Sequence, residues 1–304
     1  MVMFWLLFNI EIENIILDYL IIRRNGRMIQ KDIDIISHIA QEKTRLANVN
    51  PIKFTMRSVV AGLYLVVAII LSYTIGALLF EKSLEISKIL VAATFSLALG
   101  LIVFLGGELF TGNNFVMAIG FYDNKCRARD ILKAWGLCYI GNAIGSVILA
   151  FLFVKSGASI ELIQNYMSSI IYPKLELPIN ELFIRGILCN FMVCIAVLST
   201  IKMNSESGKL TIMFWCVFVF VIAGFEHSIA NMGIFSIGYL VLDGIPIYLI
   251  LRNLLFVTLG NIVGGAILLA VPIKLMSIKE YELGNEDKLR DKNELKNKKK
   301  LSRA

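Results

Sequence analysis

The stretch Gly106-Gly107-Glu108-Leu109-Phe110-Thr111-Gly112 lies inside a 34-residue run, 89–122, whose only charged side chain is that of Glu108. A bilayer core is crossed by about 20 helical residues, so the run is too long for one regular span. Glycine lets the backbone leave helical geometry, and irregular backbone at membrane depth occurs only where it is buried in protein or lines a cavity. The stretch therefore predicts a membrane helix broken in its middle, beside a polar path. Two short apolar segments joined by a glycine loop are the alternative.

A second apolar run has the same design. It covers 33 residues, 210–242, and is interrupted near its middle by Glu226-His227, shortly after Gly224. Two overlong runs, each interrupted by Gly and Glu, indicate an internal repeat. Transporters and channels built on broken helices bind or pass their substrate at the breaks.

The composition is that of an integral membrane protein. Of 304 residues, 57% are hydrophobic and 17% charged, and the mean hydropathy is +0.74; these values exclude a soluble protein. The five cysteines are scattered and have no metal-ligand spacing with histidine, so we interpret them as packing residues and expect no metal and no cofactor. The net charge of +7 lies mainly in ends and loops and bears on membrane orientation rather than on nucleic acid binding.

Four further spans, at 58–80, 134–154, 182–201 and 253–273, bring the predicted total to six. The chain then divides into an N-terminal region with an amphipathic helix (1–56), a six-helix transmembrane domain (57–275) and a charged tail (276–304). Met28 is a candidate for the native first residue. Basic residues are concentrated in the N-terminal region, in the loop 123–133 and in the tail, which predicts that both ends are cytoplasmic. We expect a multi-pass protein of a bacterial plasma membrane.

The two halves of the transmembrane domain match in detail. Arg57 and Arg185 each open a span, and the third and sixth spans carry Gly141-Asn142-Ala143-Ile144-Gly145 and Gly260-Asn261-Ile262-Val263-Gly264. The asparagine follows the glutamate of the preceding broken run by 34 residues in one half and by 35 in the other. Three spans repeated at opposite topology form an inverted 3+3 repeat, with broken helices at positions two and five.

These residues resemble the formate/nitrite transporter family of anion channels over 31–274. Gly106–Gly112 resembles the first signature of the family, Gly186-Ile187-Leu188-Cys189-Asn190-Phe191-Met192-Val193-Cys194-Ile195-Ala196 the second, and 225–232 its histidine-bearing segment of the fifth helix. The resemblance implies an aquaporin-like six-helix protomer, one pore per protomer and a homopentamer. Within the family, the chain is most similar to the hydrosulfide channel branch.

The resemblance also implies roles for individual residues. Apolar constrictions, one toward each side of the membrane, would be formed by Phe95, Leu99, Leu109, Phe110 and Phe220. Leu109, Phe110 and Thr111 would lie on the first interruption and Phe220 on the second. The polar groups would be Thr111 and His227 between the constrictions, Lys174 at the outer mouth, and Asn190 and Asn261 holding the broken elements.

Physical chemistry supports these roles. A small anion must lose water at an apolar ring, which is costly unless donors and positive potential follow. Broken helices present free N–H groups and positive dipole ends that favour anions. His227 is able to gain or lose a proton near neutral pH; a structural hydrogen bond to the opposing loop is its alternative role. We expect Glu108 and Glu226 to stabilise the breaks by accepting backbone N–H groups rather than by contacting an anion.

The leading hypothesis is a pore for small monovalent anions, namely hydrosulfide, formate and nitrite, with lipid and other copies of the chain as its partners. A proton-coupled carrier with the same groups is the main alternative. A water or glycerol channel would carry Asn-Pro-Ala twice, and neither broken run contains it. A membrane enzyme would need a nucleophile–base pair or a metal cluster, which a buried histidine without such partners does not provide. We therefore expect no enzyme, and no nucleic acid as partner.

Overall fold

The computed structural model describes residues 29–277. Residues 36–272 form one compact unit, and the chain on either side, of which 29–35 and 273–277 are described, forms a second. The candidate start at Met28 and the charged tail beyond residue 277 lie outside the described residues.

Within the described residues every regular element is a helix. In chain order the first six are α1 (29–49), α2 (Pro51–Phe80), α3 (Leu84–Phe95), α4 (Leu97–Phe104), α5 (Phe110–Tyr122) and α6 (Ala128–Lys155). They are followed by α7 (Ile160–Glu176), α8 (Ile179–Lys202), α9 (Glu206–Ile222), α10 (Ser228–Val241), α11 (Ile247–Ile262), a π-helical segment (Val263–Leu269) and α12 (Ala270–Leu275).

Five helical stretches of residues 29–277 are long and apolar enough to cross a membrane: Pro51–Phe80, Leu84–Phe104, Ala128–Lys155, Ile179–Lys202 and Ile247–Leu275. The remaining predicted span corresponds to α9 and α10, which have only 17 and 14 residues. The first span begins at Pro51 because Asn50 caps its helix, accepting a hydrogen bond from the backbone N–H of Lys53. The predicted all-α membrane fold is confirmed.

Both breaks lie where glycine permits them. Gly106 (φ 77°) and Gly224 (φ 73°) adopt left-handed backbone, which costs glycine little and other residues much. The chain resumes helix at Phe110 and at Ser228. Phe110 and Thr111 were expected on the first interruption, but they are the first residues of α5. Phe220 was expected on the second, but it lies in the last turn of α9, because that helix ends only at Ile222, shortly before Gly224 reverses the backbone.

No structure was predicted for the stretch 155–181, between the third and fourth spans. It forms α7, whose buried residues Ile163, Tyr166, Met167, Ile171 and Leu175 recur at helical spacing. Pro173 lies inside this helix. The helix matters for function because it carries Lys174 to the second break.

Within each half of the repeat, a glycine at the corresponding position lets two helices pack closely. A Cβ atom on Gly145 of α6 would lie 2.0 Å from the carbonyl oxygen of Val59 on α2, and one on Gly264 would lie 2.2 Å from that of Ile187 on α8. Small residues let membrane helices approach closely, where dispersion and interhelical hydrogen bonds replace the hydrophobic effect. These contacts bring the third and sixth spans within reach of the broken helices.

Candidate functional site

Asn142 holds the first break. Its Nδ2 donates to the carbonyl oxygens of Ser58 (2.8 Å) and Glu108 (2.9 Å), and its Oδ1 accepts the N–H of Phe110 (3.0 Å). The N–H of Glu108 donates to the carbonyl oxygen of Arg57 (3.1 Å). Backbone groups that the interrupted helix leaves unpaired are thereby satisfied inside the protein, as membrane depth requires.

Asn261 does the same at the second break. Its Nδ2 donates to the carbonyl oxygens of Gly186 (2.8 Å) and Glu226 (3.0 Å), and its Oδ1 accepts the N–H of Ser228 (2.9 Å). Asn190 connects the two halves, since its Nδ2 donates to the carbonyl oxygens of Thr111 (3.2 Å) and Asn261 (2.6 Å). Asn142 was not among the predicted site residues, although the repeated Gly-Asn-x-x-Gly pattern pointed to it.

The two glutamates bind side chains, not the backbone N–H groups we expected. Glu108 accepts hydrogen bonds from the Nζ of Lys43 and, at 3.1 Å, from the Nδ2 of Asn113. Glu226 accepts from the Nζ of Lys174 (2.7 Å) and the Nδ2 of Asn231 (2.6 Å). That expectation was wrong because asparagine side chains and opposing carbonyl groups already pair with the backbone of the breaks.

Both ion pairs are largely removed from solvent. The side chains of Lys43 and Glu108 are 18% and 7% exposed, and those of Lys174 and Glu226 are 19% and 3% exposed. Removing one partner of such a pair strands a desolvated charge, which typically costs about 3–5 kcal/mol. Each pair therefore fastens a helix to a break: Lys43 belongs to α1 and Lys174 to α7.

His227 caps α10 and bonds to the opposite break. Its Nδ1 accepts the N–H of Ala230 (3.0 Å), and its Nε2 lies 3.0 Å from the Oγ1 of Thr111. Because a backbone N–H can only donate, Nδ1 carries no proton, and the neutral ring carries its proton on Nε2. The imidazole thus donates to Thr111. The structural hydrogen bond that was its alternative role is present.

Three cavities lie along the breaks. The Lys174 vestibule has a volume of about 380 Å³ and is lined by Lys88, Phe95, Lys174, Phe220 and His227 among others. The central chamber, lined by Phe95, Leu99, Leu109, Phe220 and His227 among others, has a volume of about 20 Å³. That is enough for about one water molecule. The Lys43 vestibule, about 460 Å³, includes Lys43 and Glu108 in its wall.

Apolar side chains separate these cavities. Phe95 and Phe220 line both the Lys174 vestibule and the central chamber, with their rings edge to face at 6.3 Å, and Phe220 stacks on the imidazole of His227 at 6.0 Å. On the other side, Glu108 lines the Lys43 vestibule and its neighbour Leu109 lines the chamber. Phe95 and Phe220 thus stand between the chamber and the Lys174 vestibule, and Leu109 stands on the side of the Lys43 vestibule.

The structure brings most of the predicted constriction residues together. Phe95, Leu99, Leu109 and Phe220 line the chamber with His227, which alone among the described residues lining it has a polar side chain. The sequence did not identify the other lining residues, because an apolar side chain in a membrane helix does not show whether it faces a cavity, a neighbouring helix or lipid. They include Leu65, Ile102, Val193 and Val217.

Two predicted residues lie elsewhere. Phe110 packs edge to face against Tyr139 (5.0 Å) and Trp135 (6.3 Å) of α6. Thr111 is fully buried behind His227 and is bonded to it. Thr111 therefore acts on the chamber through the histidine.

Comparison with known proteins places the chain in a family. The family model described as "Formate/nitrite transporter" matches residues 31–275. The chain is 32% identical over 244 residues to the nitrite transporter NirC of Salmonella typhimurium, covering 78% of this chain and 89% of that protein. A solved "FNT family ion channel" is 30% identical with a TM-score of 0.77, covering 82% of this chain and 100% of that one.

A second solved structure, a "Pentameric formate channel with formate bound", is 27% identical with a TM-score of 0.64 and covers 74% of this chain and 96% of that one. The family model spans most of the chain and includes both breaks, both ion pairs and the chamber. The chain belongs to the formate/nitrite transporter family.

Proposed function

We propose that the chain is a channel that passes small monovalent anions, namely formate, nitrite and hydrosulfide, through one pore in each protomer. The observation that carries this proposal is the central chamber of about 20 Å³, where His227 stands in an apolar wall between two vestibules that contain lysine. Its relatives are named for nitrite and formate, and the solved formate channel is pentameric, which supports the substrate class and a homopentamer.

The chamber selects by size and by the cost of dehydration. A molecule inside it contacts Phe95, Leu99, Leu109 and Phe220, so an anion leaves most of its water behind, a loss of several kcal/mol unless hydrogen bonds or proton transfer replace it. The Nε2–H of His227, which donates to Thr111 in the structure, would have to turn to the anion to replace that water, and a charged ring would supply a proton. Weak-acid anions profit from protonation, and the anions of strong acids do not.

Helix termini add to this. Leu109 and His227 are the N-caps of α5 and α10 and both line the chamber. The N-terminal end of a helix carries partial positive charge from its free N–H groups. The site therefore favours an anion over a cation without placing a permanent charge in the chamber.

In the proposed orientation both chain ends are cytoplasmic and the protein lies in a bacterial plasma membrane, with the regions 1–56 and 276–304 flanking the transmembrane domain 57–275. The Lys43 vestibule then opens to the cytoplasm and the Lys174 vestibule to the outside. The concentration of basic residues in loop 123–133 supports this orientation.

Flux measurements in proteoliposomes test the proposal. Formate, nitrite and hydrosulfide should cross much faster than in protein-free vesicles, and glycerol should not. Rates proportional to concentration indicate a channel, while saturation together with a strict need for a proton gradient indicates the proton-coupled carrier. Rapid glycerol or water flux without anion flux would overturn the proposal.

A further inference from the structure

The wall of the Lys174 vestibule contains two lysines in different situations. The Nζ of Lys174 lies 2.7 Å from a carboxylate oxygen of Glu226 and 3.3 Å from the Oδ1 of Asn231. Its carbonyl oxygen accepts the Nδ2 of Asn253 at 3.0 Å. The charge of Lys174 is thus cancelled at close range, and the residue fastens α7 to the second break.

Lys88, on α3, lines the same vestibule and is exposed. It takes part in none of the ion pairs found within residues 29–277. Glu85, three residues earlier, accepts a hydrogen bond from the hydroxyl of Ser83 at 3.1 Å and does not line the vestibule. Glu85 attracts Lys88 through space, but the two form none of the ion pairs of residues 29–277, so the ammonium group of Lys88 is the positive charge of this wall that no carboxylate binds.

The spacing along α3 places Lys88 above the constriction. Lys88, Val91 and Phe95 all line the vestibule, and residues three and four apart share one helix face. Seven helical residues rise about 10 Å, so Lys88 stands about two turns from the Phe95 ring. The Debye length at physiological ionic strength is roughly 8 Å, so salt screens part of this charge at the constriction.

We propose that Lys88 is the residue that concentrates anions at the Lys174 vestibule, and that Lys174, neutralised by Glu226, has a structural role there. This inference rests on the proposed anion transport. A charge about 10 Å away favours an anion about two-fold in water and about four-fold where apolar walls halve the effective dielectric constant. A close pair of opposite charges gives no comparable net attraction at that distance.

The Lys43 vestibule is arranged in the same way. Lys43 is paired with Glu108, and the other carboxylate of that wall is paired with a neighbour on its own helix. Lys53 and Arg57 line the vestibule and take part in no ion pair found within residues 29–277. Each vestibule thus uses one lysine to hold a break and leaves other cations free.

The test is formate influx into proteoliposomes at increasing ionic strength. The salt is potassium gluconate, whose anion is too large for a chamber of about 20 Å³. At about 10 mM salt, Lys88→Gln should lower influx about two- to four-fold. At about 1 M, where the Debye length is about 3 Å, it should match the wild type. Lys88→Arg should keep the wild-type rate at both.

Two controls separate charge from structure. Lys82→Gln removes an exposed lysine that does not line the vestibule and should leave influx unchanged. The double variant Lys174→Met with Glu226→Gln removes the ion pair without changing net charge and should keep the salt dependence of the wild type.

Three results would overturn the inference: wild-type influx for Lys88→Gln at low salt, a loss that salt does not abolish, or an equal loss for Lys88→Arg. If the wild type itself carries no formate, nitrite or hydrosulfide, the proposed function fails as well. If the wild type carries these anions and Lys88→Gln carries them at the same rate at low salt, only the role of Lys88 is refuted.

Discussion

His227 has two roles in the structure that a matched pair of substitutions separates. It caps α10 by accepting the N–H of Ala230, and it places a titratable ring between two apolar constrictions. His227→Leu removes both. His227→Asn keeps a good N-cap acceptor at the position where asparagine is preferred, but its amide cannot gain or lose a proton.

The hydrogen bonds set the expected magnitudes. Loss of the cap costs about 0.5–2 kcal/mol, and loss of the bond to Thr111 costs about 0.5–1.5 kcal/mol. His227→Leu should therefore destabilise the protein by about 1–3.5 kcal/mol in total. His227→Asn should cost at most the energy of the bond to Thr111, about 0.5–1.5 kcal/mol. For transport, a lost hydrogen bond to a charged group costs about 1.5–3 kcal/mol, equivalent to about a 10- to 150-fold slower flux.

The assay compares formate and chloride flux from pH 5 to 8 at equal amounts of folded protein, with thermal unfolding measured on the same preparations. We expect His227→Leu to lose formate flux by that factor. We expect His227→Asn to stay nearly as stable as the wild type but to lose the part of the pH dependence of formate flux that comes from protonation of the ring, with a smaller effect on chloride. If His227→Asn reproduces the rate and pH profile of the wild type while His227→Leu does not, the histidine is only a cap and the transport argument is refuted.

Three further predictions concern the scaffold. Gly145→Ala puts a Cβ 2.0 Å from a backbone oxygen and should lower stability by about 1–3 kcal/mol in thermal unfolding, whereas Gly136→Ala on the same helix meets nothing within 4 Å and should be neutral or stabilising; equal effects would contradict the close packing. Asn261→Leu removes three buried hydrogen bonds and should cost about 3–6 kcal/mol; a wild-type unfolding temperature would show that the asparagine does not hold the break. A cysteine at Tyr172 should react with an impermeant reagent from outside and one at Leu132 only from inside, and the reverse pattern would invert the orientation.

The positions of both breaks could be predicted from the sequence because their causes are local. Gly106 and Gly224 supply the left-handed backbone, and a single carboxylate in each overlong apolar run marks the polar interior. The repeat was equally visible, since its asparagines follow those carboxylates at nearly constant spacing.

The partners of the carboxylates could not be predicted in the same way. Lys43 precedes Glu108 by 65 residues and Lys174 precedes Glu226 by 52, and each lies on a helix outside its break. One of these helices, α7, lies in a stretch for which no structure was predicted. Phe110 has an apolar side chain like its neighbour Leu109, and only the packing shows that it turns toward Tyr139 and away from the chamber.

The two halves of the repeat are alike in framework and different at the chamber. Leu109 and His227 follow the two glutamates directly and both are N-caps, but only His227 accepts a hydrogen bond from its helix. The repeat thus places the apolar side chain of Leu109 and the polar side chain of His227 at corresponding positions of the chamber wall. Two polar caps would hold water and hydrated ions between the constrictions, and two apolar caps would leave a dehydrated anion without a donor. The departure from symmetry at this pair therefore gives the chamber one side chain with a polar N–H, held by Thr111 in the structure, in a wall that otherwise excludes water.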